Sequence, residues 1–103
     1  MQEWTAIKAP RSVLKRNGDL RDFDARKIRS ALRRAGGASS QFDVDEADRL
    51  CEQVVRVLAH RFASSPVQVE QVQDVVEQTL VAAGHLATAR AYVVYREQHA
   101  RLR

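Results

Sequence analysis

The sequence predicts a small α+β domain in which a β-hairpin, or a small three-stranded sheet, covers a cluster of four helices. Three observations support this class. The length of 103 residues suits a single domain. The dipeptide Asn17-Gly18 separates two short alternating segments, as in a hairpin. Four later segments carry apolar residues at helical spacing.

The strands are predicted from the alternating segments. Residues 12–16 and 19–23 are predicted to pair through a type I′ turn at Asn17-Gly18. A break at Ser64-Ser65-Pro66 precedes residues 67–69, which alternate and could add a third strand to the hairpin. We therefore divide the chain into an N-terminal extension, residues 1–11, and a domain, residues 12–103.

The first two helices have recognisable start signals. Asp24 is placed to cap the first, and Gly36-Gly37 is expected to end it. Asp43 or Asp45 can cap the second. Their apolar positions are Ile28, Ala31, Leu32 and Ala35 in the first, and Ala47, Leu50, Val54, Leu58 and Phe62 in the second.

The last two helices follow the same periodicity. The third is predicted over residues 70–83, with Gly84 as its C-terminal stop. The fourth begins near Leu86 and extends towards Arg103.

The net charge of +4 is distributed unevenly along the chain. Residues 8–34 carry a local charge of +7, residues 43–80 carry −5, and residues 85–103 carry +3. A fold that joins the first and last of these segments would build a basic surface that attracts phosphates of a nucleotide or a nucleic acid. The alternative is a solvated helix face without a ligand.

Composition and motifs argue against several classes of protein. The chain has no nucleophile elbow, no His-Glu-x-x-His and no Gly-rich phosphate loop, so an enzyme is not expected. The single cysteine, Cys51, cannot form an internal disulfide or a thiolate zinc site, and it is expected to be buried and unreactive. The histidines are scattered, so no metal site is predicted. No apolar stretch is long enough to span a membrane, and we expect a cytoplasmic protein.

Three cations around the hairpin form the candidate site. Lys15 and Arg16 lie beside the tight turn, and Lys27 lies in the first turn of the helix that follows. Adjacent strand residues point to opposite faces, so one of Lys15 and Arg16 faces a pocket directly and the other must reach around the edge. Amides at the start of the first helix would assist anion binding if Asp24 leaves them available. A phosphate site and an exposed basic hairpin both fit this pattern.

Two separated blocks of sequence resemble the ATP-cone family. Residues 13–18, with Phe23-Asp24 and Lys27-Ile28, are similar to its opening pattern of valine, any residue, Lys-Arg-Asp-Gly, then Phe-Asp and Lys-Ile. Residues 72–77 and 89–96 resemble its later block, Ile-Gln-Asp with Val-Glu and a final Ala-Tyr-apolar-apolar-Tyr-Arg. The resemblance covers residues 12–98, and Asn17 replaces the usual Asp of the turn.

The resemblance implies an allosteric domain that binds ATP or dATP and does not catalyse. Such domains stand at the N-terminus of ribonucleotide reductase large subunits, so the implied partners are a reductase catalytic body or another cone, in a homo-oligomer. Mg²⁺ could accompany the nucleotide, and no membrane partner is implied. The alternative is a small basic nucleic-acid-binding domain, against which the acidic middle segment counts.

The resemblance also implies roles for individual residues. Phosphates would pair with Lys15, Arg16 and Lys27. The adenine amino group would face Asp24, or a backbone group near it. Arg21 stands where many members have Glu or another residue that reads the base. The full set of implied nucleotide-binding positions is Val13, Lys15, Arg16, Asp24, Lys27, Ile28, Val72 and Gln73, with Val94 and Gln98 from the last helix and Arg90 or Arg96 as a further cation.

Overall fold

The computed structural model of the protein describes residues 10–62 and 66–101. Its elements are β1 (Ser12–Leu14), β2 (Leu20–Asp22), α1 (Ala25–Ser39), α2 (Val44–Phe62), β3 (Val67–Gln68), α3 (Val69–Ala82) and α4 (Leu86–Arg101). The predicted α+β class, with three strands and four helices in this part of the chain, is confirmed. Most of the predicted N-terminal extension, Ser64-Ser65 and the last two residues lie outside the described residues.

The three strands form one mixed sheet with the order β2-β1-β3. β1 pairs antiparallel with β2, and Val13 lies opposite Arg21. β3 pairs parallel with β1, so the predicted third strand adds to the free edge of β1. The sheet therefore carries the start of α3, which follows β3 directly, to the same side of the molecule as the hairpin.

The hairpin turn differs from the predicted type I′ turn. A type I′ turn needs positive φ at both central residues, but in this turn only Gly18 has it, with φ of 92°. The Gly18 amide donates to the Lys15 carbonyl at 2.9 Å, and the Lys15 amide donates to the Asp19 carbonyl at 2.8 Å. This is a three-residue loop with a left-handed glycine at its end, so the type I′ prediction is wrong. The Asn17 side chain accepts a hydrogen bond from the Asp19 amide at 3.0 Å, which favours the longer loop.

The first helix also runs further than predicted. Asp24 caps α1 as expected, but the helix passes through Gly36 and Gly37 and ends at Ser39, before the left-handed residue Ser40, whose φ is 57°. Gly36 is buried, and a Cβ atom there would overlap the Phe42 side chain. The prediction that these glycines end the helix is therefore wrong, because Gly36 serves a close ring contact and not a turn.

The starts of the other helices follow local capping rules. The Asp43 carboxylate accepts a hydrogen bond from the Glu46 amide at 3.1 Å, so Asp43, and not Asp45, caps α2. The α3 helix starts with a reciprocal capping box between Gln68 and Gln71. Gly84, with φ of 85°, follows α3 as predicted.

The helices enclose one apolar core. α1 and α3 each pack against both α2 and α4. Burial of a large aliphatic side chain contributes about 1.5–3 kcal/mol, so this core is the main stabilising feature of the fold. The fully buried aliphatic side chains include Leu32, Leu50, Val54, Val55, Leu58, Val67, Val76 and Leu80. Within the described ranges, no helix is both long enough and apolar enough to cross a bilayer.

Candidate functional site

A cleft of about 480 Å³ opens where the hairpin meets the first turns of α1 and α3. This volume lies within the range of about 300–1,000 Å³ that small-molecule sites occupy. One residue of α4, Arg96, also reaches it. The lining residues are Val13, Lys15, Arg16, Asn17, Arg21, Asp22, Phe23, Asp24, Lys27, Ile28, Val69, Val72, Gln73 and Arg96.

The cleft has an apolar floor built from three elements. Val13 is the middle residue of β1, which is the central strand of the sheet. Ile28 and Val72 lie near the starts of α1 and α3, and both are buried, with 7% and 8% of their surface exposed. Phe23 packs against the same core from the end of the hairpin. Because these side chains belong to the core cluster or pack against it, the floor is a fixed part of the fold.

Five cations line the cleft, and the hairpin supplies three of them. Lys15 lies two residues after Val13, just beyond the end of β1, and Arg21 lies opposite Val13 on β2. Arg16 lies beyond the end of β1, in the turn, where the alternation of a strand no longer applies. Both Lys15 and Arg16 therefore reach the cleft, although strand geometry alone assigned only one of them to it directly.

The oxygen atoms of Asp24 accept hydrogen bonds from residues of the first turn of α1. Its carboxylate accepts hydrogen bonds from the Arg26 amide and the Arg26 Nε, both at 3.0 Å, and its carbonyl accepts one from the Lys27 amide at 3.1 Å. The Arg26 side-chain hydrogen bond is the main cause that holds the pKa of Asp24 below its usual value. The amides of Arg26 and Lys27 are thus already satisfied, so anion binding in this cleft depends on side chains more than on the start of α1.

The α3 helix presents acidic residues to two of the cleft cations. Glu70 accepts a hydrogen bond from the Arg16 Nε at 2.8 Å. The Arg96 Nη1 lies 3.4 Å from Asp74 and 3.5 Å from Glu77. The Arg16 hydrogen bond is the main cause that lowers the pKa of Glu70. These pairs connect the hairpin and α4 to α3 across the cleft.

The structure brings eight of the ten implied contact positions together at this cleft, and of the two candidates for a further cation, Arg96 lines the cleft and Arg90 does not. Val94 and Gln98 are not among its lining residues, and both are exposed on α4. They lie four residues apart and share one face of the helix, whereas Arg96, midway between them in sequence, lies on the opposite face. Arg96 is therefore the α4 residue that the fold places at the cleft. The residues that do converge are Val13, Lys15, Arg16, Asp24, Lys27, Ile28, Val72 and Gln73.

Sequence reasoning missed several lining residues that local rules could have found. Arg21 was singled out by the resemblance but left out of the implied binding set, and its place at the cleft follows from hairpin register, because it pairs with Val13. Phe23 and Asp22 lie in the segment that connects the hairpin to Asp24. Val69 lies one helical turn before Val72 on the same face of α3.

Cys51 lies behind the cleft wall, in the core. It is fully buried, and its Sγ lies 3.5 Å from the carbonyl of Ala25, the first residue of α1. Burial is the main cause that raises the pKa of this thiol to about 12. The prediction of a buried, unreactive cysteine agrees with this environment. In the described part of the chain, no group of three or more His, Cys, Asp or Glu side chains could hold a metal ion.

Comparison with known proteins gives a consistent set of relatives. The chain is 37% identical to ribonucleoside-diphosphate reductase subunit alpha of Chlamydia muridarum, over 89% of this chain and 10% of that protein. It is 35% identical to the vitamin B12-dependent ribonucleoside-diphosphate reductase of Mycobacterium tuberculosis, over 94% of this chain and 13% of that protein. It is also 35% identical to the anaerobic ribonucleoside-triphosphate reductase of Salmonella typhimurium, over 82% of this chain and 11% of that protein.

The chain thus spans about a tenth of the length of the curated relatives it matches. The family model for the ATP cone domain matches residues 11–101, which includes the whole cleft. Family membership implies a regulatory role in which a nucleotide is the effector. The chain belongs to the ATP-cone family.

Proposed function

We propose that the cleft binds ATP or dATP and that the bound nucleotide regulates a ribonucleotide reductase. The convergence of cations and an apolar floor in one cleft of suitable volume is the observation that carries this proposal. The relatives named above are reductases of three kinds, which supports a reductase as the protein that is regulated.

The two ends of the nucleotide would meet different parts of the cleft. Lys15, Arg16 and Lys27 would bind phosphate oxygens through charge-assisted hydrogen bonds, with Arg96 as a further cation. The purine would lie on the apolar floor that Val13, Ile28 and Val72 contribute to. The Asp24 carboxylate is engaged by Arg26, so a contact with the adenine amino group falls to a backbone carbonyl or to Gln73. Mg²⁺ would enter with the triphosphate and not on a preformed protein site.

Regulation requires that the nucleotide bind two states of the protein unequally. ATP and dATP differ by one hydroxyl, so they can act differently only if that hydroxyl meets a hydrogen-bonding group in one state. The outer faces of α3 and α4 are our candidate contact surface, because Val81, Leu86 and Val94 are about half exposed there. The partner would be the catalytic body of the reductase or another cone, in the cytoplasm.

Calorimetric titration with ATP and dATP tests the binding. We expect saturable binding in the micromolar range for the wild-type chain and at least about a hundredfold loss in Lys15→Ala with Lys27→Ala, since two charge-assisted contacts are removed. Arg34→Ala with Arg49→Ala removes the same net charge from exposed positions outside the cleft, so it should bind as the wild type does. A flat trace for the wild-type chain at millimolar nucleotide would reject the proposal.

The same samples separate the nucleic-acid alternative. A nucleic-acid-binding domain would bind an oligonucleotide with an affinity that falls steeply with salt, and the Arg34 and Arg49 changes would weaken it as much as the lysine changes. Light scattering with and without ATP or dATP would then test whether the nucleotide changes the oligomeric state.

A further inference from the structure

The ion pair between Arg16 and Glu70 differs from two other close arginine pairs of this protein. Arg26 meets Asp24, and Arg33 meets Asp48, through both Nε and Nη2. Arg16 meets Glu70 through Nε alone, at 2.8 Å. Within the described residues, the two Nη groups of Arg16 make no hydrogen bond to the protein. The guanidinium is thus held at one edge while its other donors stay available for a second acceptor.

Arg16 is also a cleft cation that packing against the protein does not fix. It lies in the hairpin turn, and 65% of its side chain is exposed. Arginine has many rotamers, and fixing such a side chain on a ligand costs affinity unless the protein has fixed it already. Glu70 lies in the first turn of α3, a rigid element on the other wall of the cleft. A hydrogen bond from this position would restrict Arg16 before any ligand arrives.

We propose that Glu70 is a positioning residue, which holds Arg16 over the cleft so that its Nη groups meet a phosphate of the bound nucleotide. Glu70 does not line the cleft and acts through Arg16. This inference rests on the proposed function and assigns to Glu70 a role in the affinity for the phosphate chain, as distinct from the base. The lowered pKa of Glu70 agrees with a carboxylate that stays charged in this role at neutral pH.

The role predicts an ordered series of ATP affinities by calorimetry. Glu70→Ala removes the hydrogen bond, so ATP should bind about three- to tenfold more weakly. Glu70→Gln keeps an oxygen that can accept from Nε, so it should recover most of that loss. Adenosine, which has no phosphate, should bind all three proteins equally. Glu52→Ala is the matched control, because Glu52 pairs with Arg56 on α2 outside the cleft, and it should leave ATP affinity within about twofold of the wild type.

The dependence on Arg16 gives a second measurement. In an Arg16→Ala background, Glu70→Ala should cause no further loss of ATP affinity, because the residue through which it acts is absent. Thermal unfolding of each variant shows that it is folded at the titration temperature.

Several outcomes would overturn the inference. Tighter ATP binding by both Glu70→Ala and Glu70→Gln would show that Glu70 competes with or repels the phosphates. Equal binding by all variants would show that Arg16 needs no support, and an equal loss of ATP and adenosine would show a merely structural role. These results differ from failure of the proposed function, in which the wild-type chain itself binds no ATP, and which would overturn this inference as well.

Discussion

The two ends of the helical cluster handle their polar groups in opposite ways. At the cleft, the arginines of the hairpin are accessible, with Arg16 65% and Arg21 60% exposed. At the far corner, which we define as the residues around the end of α1 and the start of α4, Thr88 is fully buried. Its amide and its hydroxyl both donate to the Gln41 side-chain oxygen at 2.7 Å.

The far corner is closed by further side-chain contacts. The Phe42 ring covers Gly36 and lies 4.7 Å from the His85 ring, centroid to centroid. The His85 Nε2 lies 3.1 Å from Glu46. Buried polar groups that are fully satisfied fix one packing arrangement, whereas exposed ion pairs contribute little to stability. The comparison teaches that the corner holds its polar groups in one closed arrangement and that the cleft keeps its charges available for a ligand.

The largest expected effect concerns Cys51, which lies in the core behind the cleft. Since burial raises the pKa of its thiol to about 12, and the thiolate is the reactive form, we expect its alkylation to be slower than in the unfolded chain by at least about a thousandfold. Iodoacetamide labelling followed by mass spectrometry measures this rate, and the chain has no other cysteine to confuse it. Labelling in urea gives the reference rate.

Labelling also tests the comparison itself. Cys51 contacts Ala25, at the cleft end of α1. If the cleft end opens locally, labelling will be faster than global unfolding allows, and saturating ATP will slow it. A labelling rate equal to the one expected from global unfolding alone would show that the cleft end opens no more readily than the far corner.

The next largest effect concerns the packing of Phe42 against Gly36 at the far corner. Gly36→Ala forces the Phe42 ring out of its position, so we expect a loss of about 1–3 kcal/mol in the free energy of unfolding. Gly37→Ala is the matched control, because nothing lies within 4 Å of its Cβ position. Alanine is favoured over glycine in a helix, so this variant should gain about 0.5–1 kcal/mol. Urea unfolding followed by circular dichroism measures both values, and equal effects of the two changes would contradict the assigned close contact.

The sequence predicted most of this fold because its signals are local. Helical periodicity and caps such as Asp24 define elements without knowledge of the packing. The predicted end of α1 was wrong because a glycine can either end a helix or allow a close contact within one. Only the tertiary contact between Gly36 and Phe42 decides between these two roles. The predicted turn type was wrong because Asn17-Gly18 fits both a two-residue loop and a three-residue loop.

The site could be predicted only where it is continuous in sequence. The hairpin and the first turn of α1 lie within residues 12–28, so their side chains converge for local reasons. Which α4 residue reaches the cleft depends on how that helix is rotated about its axis against α3. This rotation places Arg96 at the cleft and leaves Val94 and Gln98 outside it. The pair of Arg16 and Glu70 is separated by 54 residues, and no local rule connects them.

The smallest effect concerns the cap at the cleft end of α1. Asp24→Ala removes the cap, and at neutral pH we expect a loss of about 1 kcal/mol in the free energy of unfolding. Asp24→Asn is the control, because asparagine caps a helix well but carries no charge, so its loss should be smaller. Urea unfolding of the three proteins across a pH series measures both the size of the effect and its titration.

The sign of the pH dependence follows from the direction of the shift. The Arg26 side-chain hydrogen bond lowers the pKa of Asp24 in the folded protein below its ordinary value of 3.8. The contribution of the charge is therefore fully present above pH 3.8 and is lost as the pH falls through the folded pKa. The gap between the wild type and Asp24→Asn should close over that acid range. A gap that stays constant would mean that the Asp24 charge adds nothing to the fold, and that the cleft end is held by the cap hydrogen bond and its apolar floor alone.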